Sequence, residues 1–284
     1  MKRLFLCLFS LFIIFPFFTA RTTVFAEQQR VRLPVVMYHN VLNGRQGEYV
    51  VSERQLESDL IAIKKAGYTF VSAKQVIDFV DGKGSLPQKP LLLTFDDGNY
   101  NNMYYAFPLL KKHGACAVFN VIGAFVAASS NSSQADNPNY SHLTWKEIST
   151  LHKSGKIEIG NHTYGMHVYK PRFGVGQMEG ESETQYRAAV KEDAGRLQTE
   201  LSRRSGVTPI VFAYPFGKYT TPAKEELLSL GFRMLFTCNE GVTTVVRGDC
   251  TTLHYVRRFN RNGKMSTKTL LEEIESGKHI PVDS

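Results

Sequence analysis

The sequence predicts an α/β protein built as a single (β/α) barrel, and three observations lead there. Short runs that are apolar throughout recur along the chain, as at Leu91-Leu-Leu-Thr-Phe95. Strands of that kind are buried on both faces, as in a parallel sheet covered by helices. Amphipathic stretches lie between them, opened by the capping boxes Ser52-Glu-Arg-Gln55, Ser72-Ala-Lys-Gln75 and Thr144-Trp-Lys-Glu147. The third observation is length: 284 residues less an N-terminal leader leave about 250 for one domain, the usual size of such a barrel. Its active site belongs at the C-terminal ends of the strands.

Taken in order, Leu33–His39 is the first strand, followed by a helix bearing Leu56, Leu60, Ile61 and Ile63 and closed by Gly67. Tyr68–Val71 is a strand, and the helix after Ser72 ends near Val80. Asp81–Pro90, rich in Gly, Pro and Lys, is a surface loop. Then come strand Leu91–Phe95, helix Met103–His113 and strand Ala115–Ile122. Ser129–Tyr140, rich in Asn and Ser, is a solvated loop; Thr144 caps the next helix, in which Trp145 packs against the barrel. Strand Ile157–Ile159, the long helix Glu183–Arg204, strand Ile210–Tyr214, helix Pro222–Leu230, strand Arg233–Phe236 and helix Thr267–Ser276 complete the alternation.

Residues 1–26 read as an export signal. Lys2 and Arg3 precede an apolar run from Leu4 to Phe18, and Val24-Phe25-Ala26 offers small residues at the positions a signal peptidase reads. Cleavage is expected before Glu27; an uncleaved membrane anchor is the alternative, although the run is shorter than the roughly 20 residues of a relaxed span. The remaining chain, 27–284, is one catalytic domain. Removing the leader takes away Lys2, Arg3 and Arg21 and no acid, so the formal charge falls from +8 to +5. That excess calls for no nucleic-acid partner; a modestly basic exported protein favours anionic cell-wall or membrane surfaces. A monomer, secreted or held at the cell surface, is expected.

With 43% hydrophobic and 21% charged residues, composition excludes disorder and a disulfide mini-protein. Cys116, Cys238 and Cys250 remain after the leader, an odd number that permits one disulfide at most. Cys238 with Cys250 is the nearer pair; three unpaired thiols are the alternative.

Polar groups gather at strand ends. Leu91–Phe95 runs into Asp96-Asp97-Gly98, and adjacent carboxylates after a buried strand are costly unless a cation sits beside them. A second short strand runs into Gly160-Asn-His162-Thr-Tyr-Gly165-Met-His167. Histidines five apart do not share a helix face, so they converge only from a loop. Two imidazoles and a carboxylate make the ligand set of a catalytic divalent-metal site with room for water, which leaves the other acid as a base. The third cluster, Phe212-Ala-Tyr-Pro215-Phe216-Gly217-Lys218-Tyr219, reads as a sugar-stacking turn with a backbone N–H for an oxyanion.

In that order and at those separations, Thr94-Phe-Asp-Asp-Gly98, His162-Thr-x-x-x-His167 and Tyr214-Pro-Phe-Gly217 resemble the polysaccharide deacetylases of carbohydrate esterase family 4, the NodB homology domain. The resemblance runs from Leu33 to Ile274 and is nearest to the poly-N-acetylglucosamine deacetylase branch. It implies a deformed (β/α) barrel and a metal-dependent N-deacetylase acting on a polysaccharide that contains N-acetylglucosamine. By position, Asp96 would be the base, and Asp97, His162 and His167 would hold zinc or another divalent ion (cobalt, nickel or manganese). The Phe216 N–H would face the oxyanion, and Tyr214, Pro215, Phe216 and Gly217 would contact the sugar.

The chain departs from the family pattern in three places. Its histidine spacing is five rather than four, as in the poly-N-acetylglucosamine branch. Ala213 stands where an arginine usually orients the base, and Arg257 or Arg258 would take over. The late Leu-x-His motif that carries the general acid is reduced to Leu253-His254. His39, in Met37-Tyr-His-Asn40 at the end of the first strand, is therefore the expected acid, with His254 as the alternative. His113, His142, His152 and His279 receive no role. Two readings from other classes compete: a glycoside hydrolase, which needs separated carboxylates and no metal, and a non-catalytic carbohydrate-binding barrel.

Overall fold

The computed structural model describes residues 29–44 and 46–281; the expected export signal lies outside them. The chain is α/β throughout, and its first strand is divided. Arg30–Leu33 (β1) and Val35–Tyr38 (β2) are separated by Pro34, which has no N–H to give a ladder. β1 turns away to pair antiparallel with Thr243–Val246 (β11). β2 pairs parallel with Pro90–Phe95 (β6).

Asn40–Val41 (β3) and Val50–Val51 (β4) form a small parallel ladder of their own. Glu53–Lys65 (α1) starts at the Ser52–Gln55 capping box and buries Leu56, Leu60 and Ile63. Ile61 is 50% exposed, because one residue past Leu60 lies about 100° further round the helix. Thr69–Phe70 (β5) leads into Ala73–Val80 (α2), again opened by a capping box.

After β6 the chain forms a π turn at Asn102–Ala106 and then Phe107–Lys112 (α3). Pro108 cannot return a hydrogen bond to Tyr104, so the expected single helix changes register there. Ala117–Val121 (β7) follows, then Gly123–Ser130 (α4), a helix absent from the sequence reading. It has no capping side chain; instead the N–H groups of Gly123 and Ala124 donate to the Thr163 and Tyr164 carbonyls at 3.0 and 2.8 Å. Trp145–Lys153 (α5) keeps its capping box and seats Trp145 in the core.

Ile157–Asn161 (β8), Glu183–Ser205 (α6), Val211–Ala213 (β9), Thr221–Ser229 (α7) and Met234–Phe236 (β10) continue the alternation. β11, Phe259–Asn260 (β12) and Thr267–Ser276 (α8) follow.

The main sheet runs β10-β9-β8-β7-β6-β2-β12, with every neighbouring pair parallel. Every residue of β2, β6 and β7 is buried, each large apolar side chain contributing about 1.5–3 kcal/mol. Val256 bridges Phe236 at one end of the sheet, and Phe259 pairs with Val36 at the other. The short stretch 256–260 thus contains one end strand, β12, and bridges the other, β10, and the sheet curls into the expected deformed barrel. All C-terminal strand ends point to one face.

Candidate active site

His39 follows β2, Asp96 and Asp97 follow β6, His162 follows β8, and Phe216 lies just past β9. Together they line one open cleft of about 1000 Å³. The non-glycine residues with left-handed backbone among those described are Asp97 (φ 72°), Thr163 (φ 72°) and Phe216 (φ 55°). Each sits in one of the three motif turns. Such strain costs of order 1–3 kcal/mol per residue and concentrates where side chains must be aimed.

Asp96 is buried. Its Oδ1 accepts from Asn120 Nδ2 at 2.7 Å and from Arg258 Nη1 at 2.8 Å. Burial pushes this carboxyl up, but the Arg258 guanidinium overcomes that effect and holds it well below the usual carboxylate range. Of the two arginines left open by Ala213, Arg258 is the one that reaches the acid. It also donates to the Thr237 carbonyl at 2.9 Å and to Thr94 Oγ1 at 3.2 Å, which satisfies a fully buried cation. Arg257 is exposed and donates to the Glu240 carbonyl.

Asp97, His162 and His167 converge, their ligand atoms all within 4.8 Å of one another. Asp97 Oδ1 is 3.6 Å from His162 Nε2 and 3.4 Å from His167 Nε2. His162 Nδ1 lies 2.7 Å from the Ala213 carbonyl oxygen. A carbonyl only accepts, so Nδ1 carries the proton and Nε2 presents a lone pair to Asp97. Burial pushes His162 down to about 3 and lowers His167 as well, so both rings are neutral. Asp97 is pushed up to about 6 by burial, and its buried Oδ1 has no hydrogen-bond partner. Two imidazole nitrogens and a carboxylate oxygen gathered this closely, the oxygen buried and without a partner, fit a cation. The loop carrying His167 is tied down by Asp193 of α6, which accepts the Tyr164 and Gly165 N–H groups at 2.7 and 2.8 Å.

Other expected residues are placed elsewhere. Tyr214 is fully buried, its ring against Phe212 and Tyr219, and Pro215 is buried too. Neither lines the cleft, because strand alternation turns Tyr214 to the outer layer. Gly217 (φ 67°) packs on Cys238, where a Cβ would meet the Cys238 Cβ at 2.7 Å. Of the Tyr-Pro-Phe-Gly turn, only Phe216 lines the cleft. His254 does not line it; its charged neighbours are Lys224, Asp249 and Arg233, the last preceding β10 at the opposite end of the barrel. His39 does line it, with a buried Nδ1 that has no partner. Cys116, Cys238 and Cys250 are all unpaired; Cys238 lines the cleft whereas Cys250 is exposed.

Several residues of the site had no signal in the sequence. Asn120, buried behind Asp96, is a polar residue inside an apolar strand. Tyr49, Tyr169 and Phe173 belong to loops with no motif of their own. His279 also lines the cleft, paired with Glu240 and Glu273.

Comparison with known proteins bears on this arrangement. The polysaccharide deacetylase profile matches residues 83–235, more than half of the chain. The chain belongs to the polysaccharide deacetylase family. A similar family member is the poly-beta-1,6-N-acetyl-D-glucosamine N-deacetylase of Escherichia coli K12, 26% identical over 235 residues, covering 75% of this chain and 35% of that protein. The chain thus spans about a third of the length of this relative. Among solved structures, IcaB from Ammonifex degensii is 27% identical with a TM-score of 0.70, over 86% of this chain and 96% of that one. A de-N-acetylase from Aggregatibacter actinomycetemcomitans, 24% identical with a TM-score of 0.72 over 85% and 99% of the two chains, shares the fold.

Proposed function

We propose that the protein is a metal-dependent polysaccharide N-deacetylase that hydrolyses acetamido groups of N-acetylglucosamine units. The observation that carries this reading is the convergence of Asp97, His162 and His167 on one point beside an ionised, arginine-held Asp96. Its similarity to the deacetylases above supports the same substrate class.

Asp97, His162 and His167 would hold the ion, and zinc suits a set of two imidazoles and one carboxylate. Bound there, a divalent ion supplies Lewis acidity toward the acetamide carbonyl and the attacking water. Asp96 accepts the proton that the water loses. Arg258 and Asn120 both bond its Oδ1 and hold the carboxylate in place. The Phe216 N–H faces the oxyanion. His39, which lines the same cleft, gives the departing amine its proton; its partnerless Nδ1 leaves the ring available for that transfer.

Residues 1–26 are proposed to export the protein, to the cell surface or beyond, where such polymers lie; the mature chain would act as a monomer. Among the described residues no helix is long and apolar enough to cross a membrane.

Incubation with N-acetylglucosamine oligomers tests the reading, with acetate and reducing ends measured in parallel. Acetate without new reducing ends is expected. New reducing ends without acetate would make the protein a glycoside hydrolase, and neither product would leave a binding barrel.

A further inference from the structure

The loop that carries the two carboxylates also holds the backbone of His39. The Asp96 N–H donates to the Tyr38 carbonyl at 2.9 Å, so the base and the residue before the acid are neighbours on adjacent strands. Further along the same loop stand Asn101 and Asn102, 2% and 1% exposed. Asn102 Nδ2 donates to the His39 carbonyl at 2.8 Å. Asn101 Oδ1 accepts the Val41 N–H at 3.0 Å, and Asn101 Nδ2 donates to Asn40 Oδ1 at 2.9 Å. Two consecutive side chains thus hold the segment His39-Asn-Val41.

The holder is itself fixed. The Gly98 carbonyl accepts the Leu143 N–H at 2.8 Å, and the Tyr100 N–H donates to the Ser141 carbonyl at 2.9 Å. The imidazole of His39 is held less directly. Its Nδ1 has no partner among the described residues, and Tyr49 packs on the ring at 4.8 Å and 70°. The ring therefore takes its place from the backbone that carries it.

Stability does not explain Asn102. Its Oδ1 is buried without a partner among the described residues, and an amide shut away from water with half its hydrogen-bonding capacity unmet costs the fold more than it contributes. A buried polar group kept under those terms marks a place where geometry counts for more than stability.

We propose that Asn102, with Asn101 beside it, is a positioning residue that sets the acid His39 relative to the Asp96-Asp97 turn. Base and acid serve one acetamide in succession, the first taking a proton from water and the second giving one to the departing amine. Their separation must therefore suit a single substrate. One loop carries the base and a metal ligand and, through two amides, grips the peptide of the acid, so that the three groups keep one spacing. The assignment rests on the deacetylase reading above.

A double-mutant cycle on the full chain tests it, read out by acetate release from N-acetylglucosamine oligomers and by zinc affinity in equilibrium dialysis. Asn102→Ala is expected to lower kcat about 10–100-fold, the cost of a misplaced catalytic group, with KM and zinc affinity kept. Asn102→Leu, which fills the same space without an N–H to give, behaves in the same way. In a His39→Ala background neither change costs anything further, because the group that Asn102 positions is gone. Hydrolysis of para-nitrophenyl acetate, whose leaving group departs without a proton from an acid, falls far less in Asn102→Ala than acetate release from the oligomers does. Parent-like acetate release by Asn102→Ala, an equal loss with and without His39, an equal loss on ester and acetamide, or loss of zinc from both variants would overturn the positioning role and leave the deacetylase reading standing. No acetate from the oligomers with the parent protein would remove both.

Discussion

Arg258 Nη1 lies 2.8 Å from Asp96 Oδ1, and both side chains are shut off from solvent. The pair joins β6 to the stretch that links the two ends of the sheet, so one contact serves both barrel closure and the proposed base. Replacing Arg258 with Met leaves a buried carboxylate uncompensated, at a cost of about 3–5 kcal/mol. Denaturant unfolding should show that loss, and acetate release should fall by about 100-fold as the base loses its orientation. Arg258→Lys should not restore either, since a single ammonium cannot reach Asp96, Thr94 and the Thr237 carbonyl together.

Gly160 is required by a neighbour. A Cβ there would stand 1.9 Å from Asn120 Oδ1, and Asn120 is the second donor to Asp96. Gly160→Ala should destabilise the fold by about 1–3 kcal/mol and reduce acetate release. A thermal melt and assay matching the parent protein would show that Asn120 can move without consequence.

The two candidate acids separate cleanly by position. His39→Ala should lower kcat by about 10²–10⁴-fold, the usual worth of a general acid. His254→Ala, at the far end of the barrel, should leave kcat unchanged. Full activity in the first variant would remove His39 from the mechanism.

Asp193 acts on the metal ligands only through backbone. Its carboxylate holds the two N–H groups between His162 and His167, so Asp193→Ala should loosen the loop and weaken metal binding by about 10–100-fold. Equilibrium dialysis against zinc reads this directly, and parent-like affinity would show that the loop holds itself.

The parts of this site that were legible in the sequence are those written as contiguous turns after apolar strands. Asp96-Asp97 and the His162–His167 segment carry their chemistry within a few residues. Arg258 could only be narrowed to a pair, because choosing between Arg257 and Arg258 requires the register of a two-residue strand. Asn120 was invisible because one polar residue does not break an apolar run. Tyr214 was misplaced because its neighbours' chemistry outweighed the alternation that turns it outward. The α4 helix escaped notice because its N-terminal donors are satisfied by Thr163 and Tyr164, distant carbonyls rather than a local cap.

The most direct test of the metal-and-base assignment is acetate release from N-acetylglucosamine oligomers by the parent protein and by Asp96→Asn, each before and after chelation and after zinc is returned. The account predicts that chelation abolishes release by the parent, that zinc restores it, and that Asp96→Asn stays inactive while binding zinc normally. Release that survives both chelation and the Asp96→Asn change would contradict it.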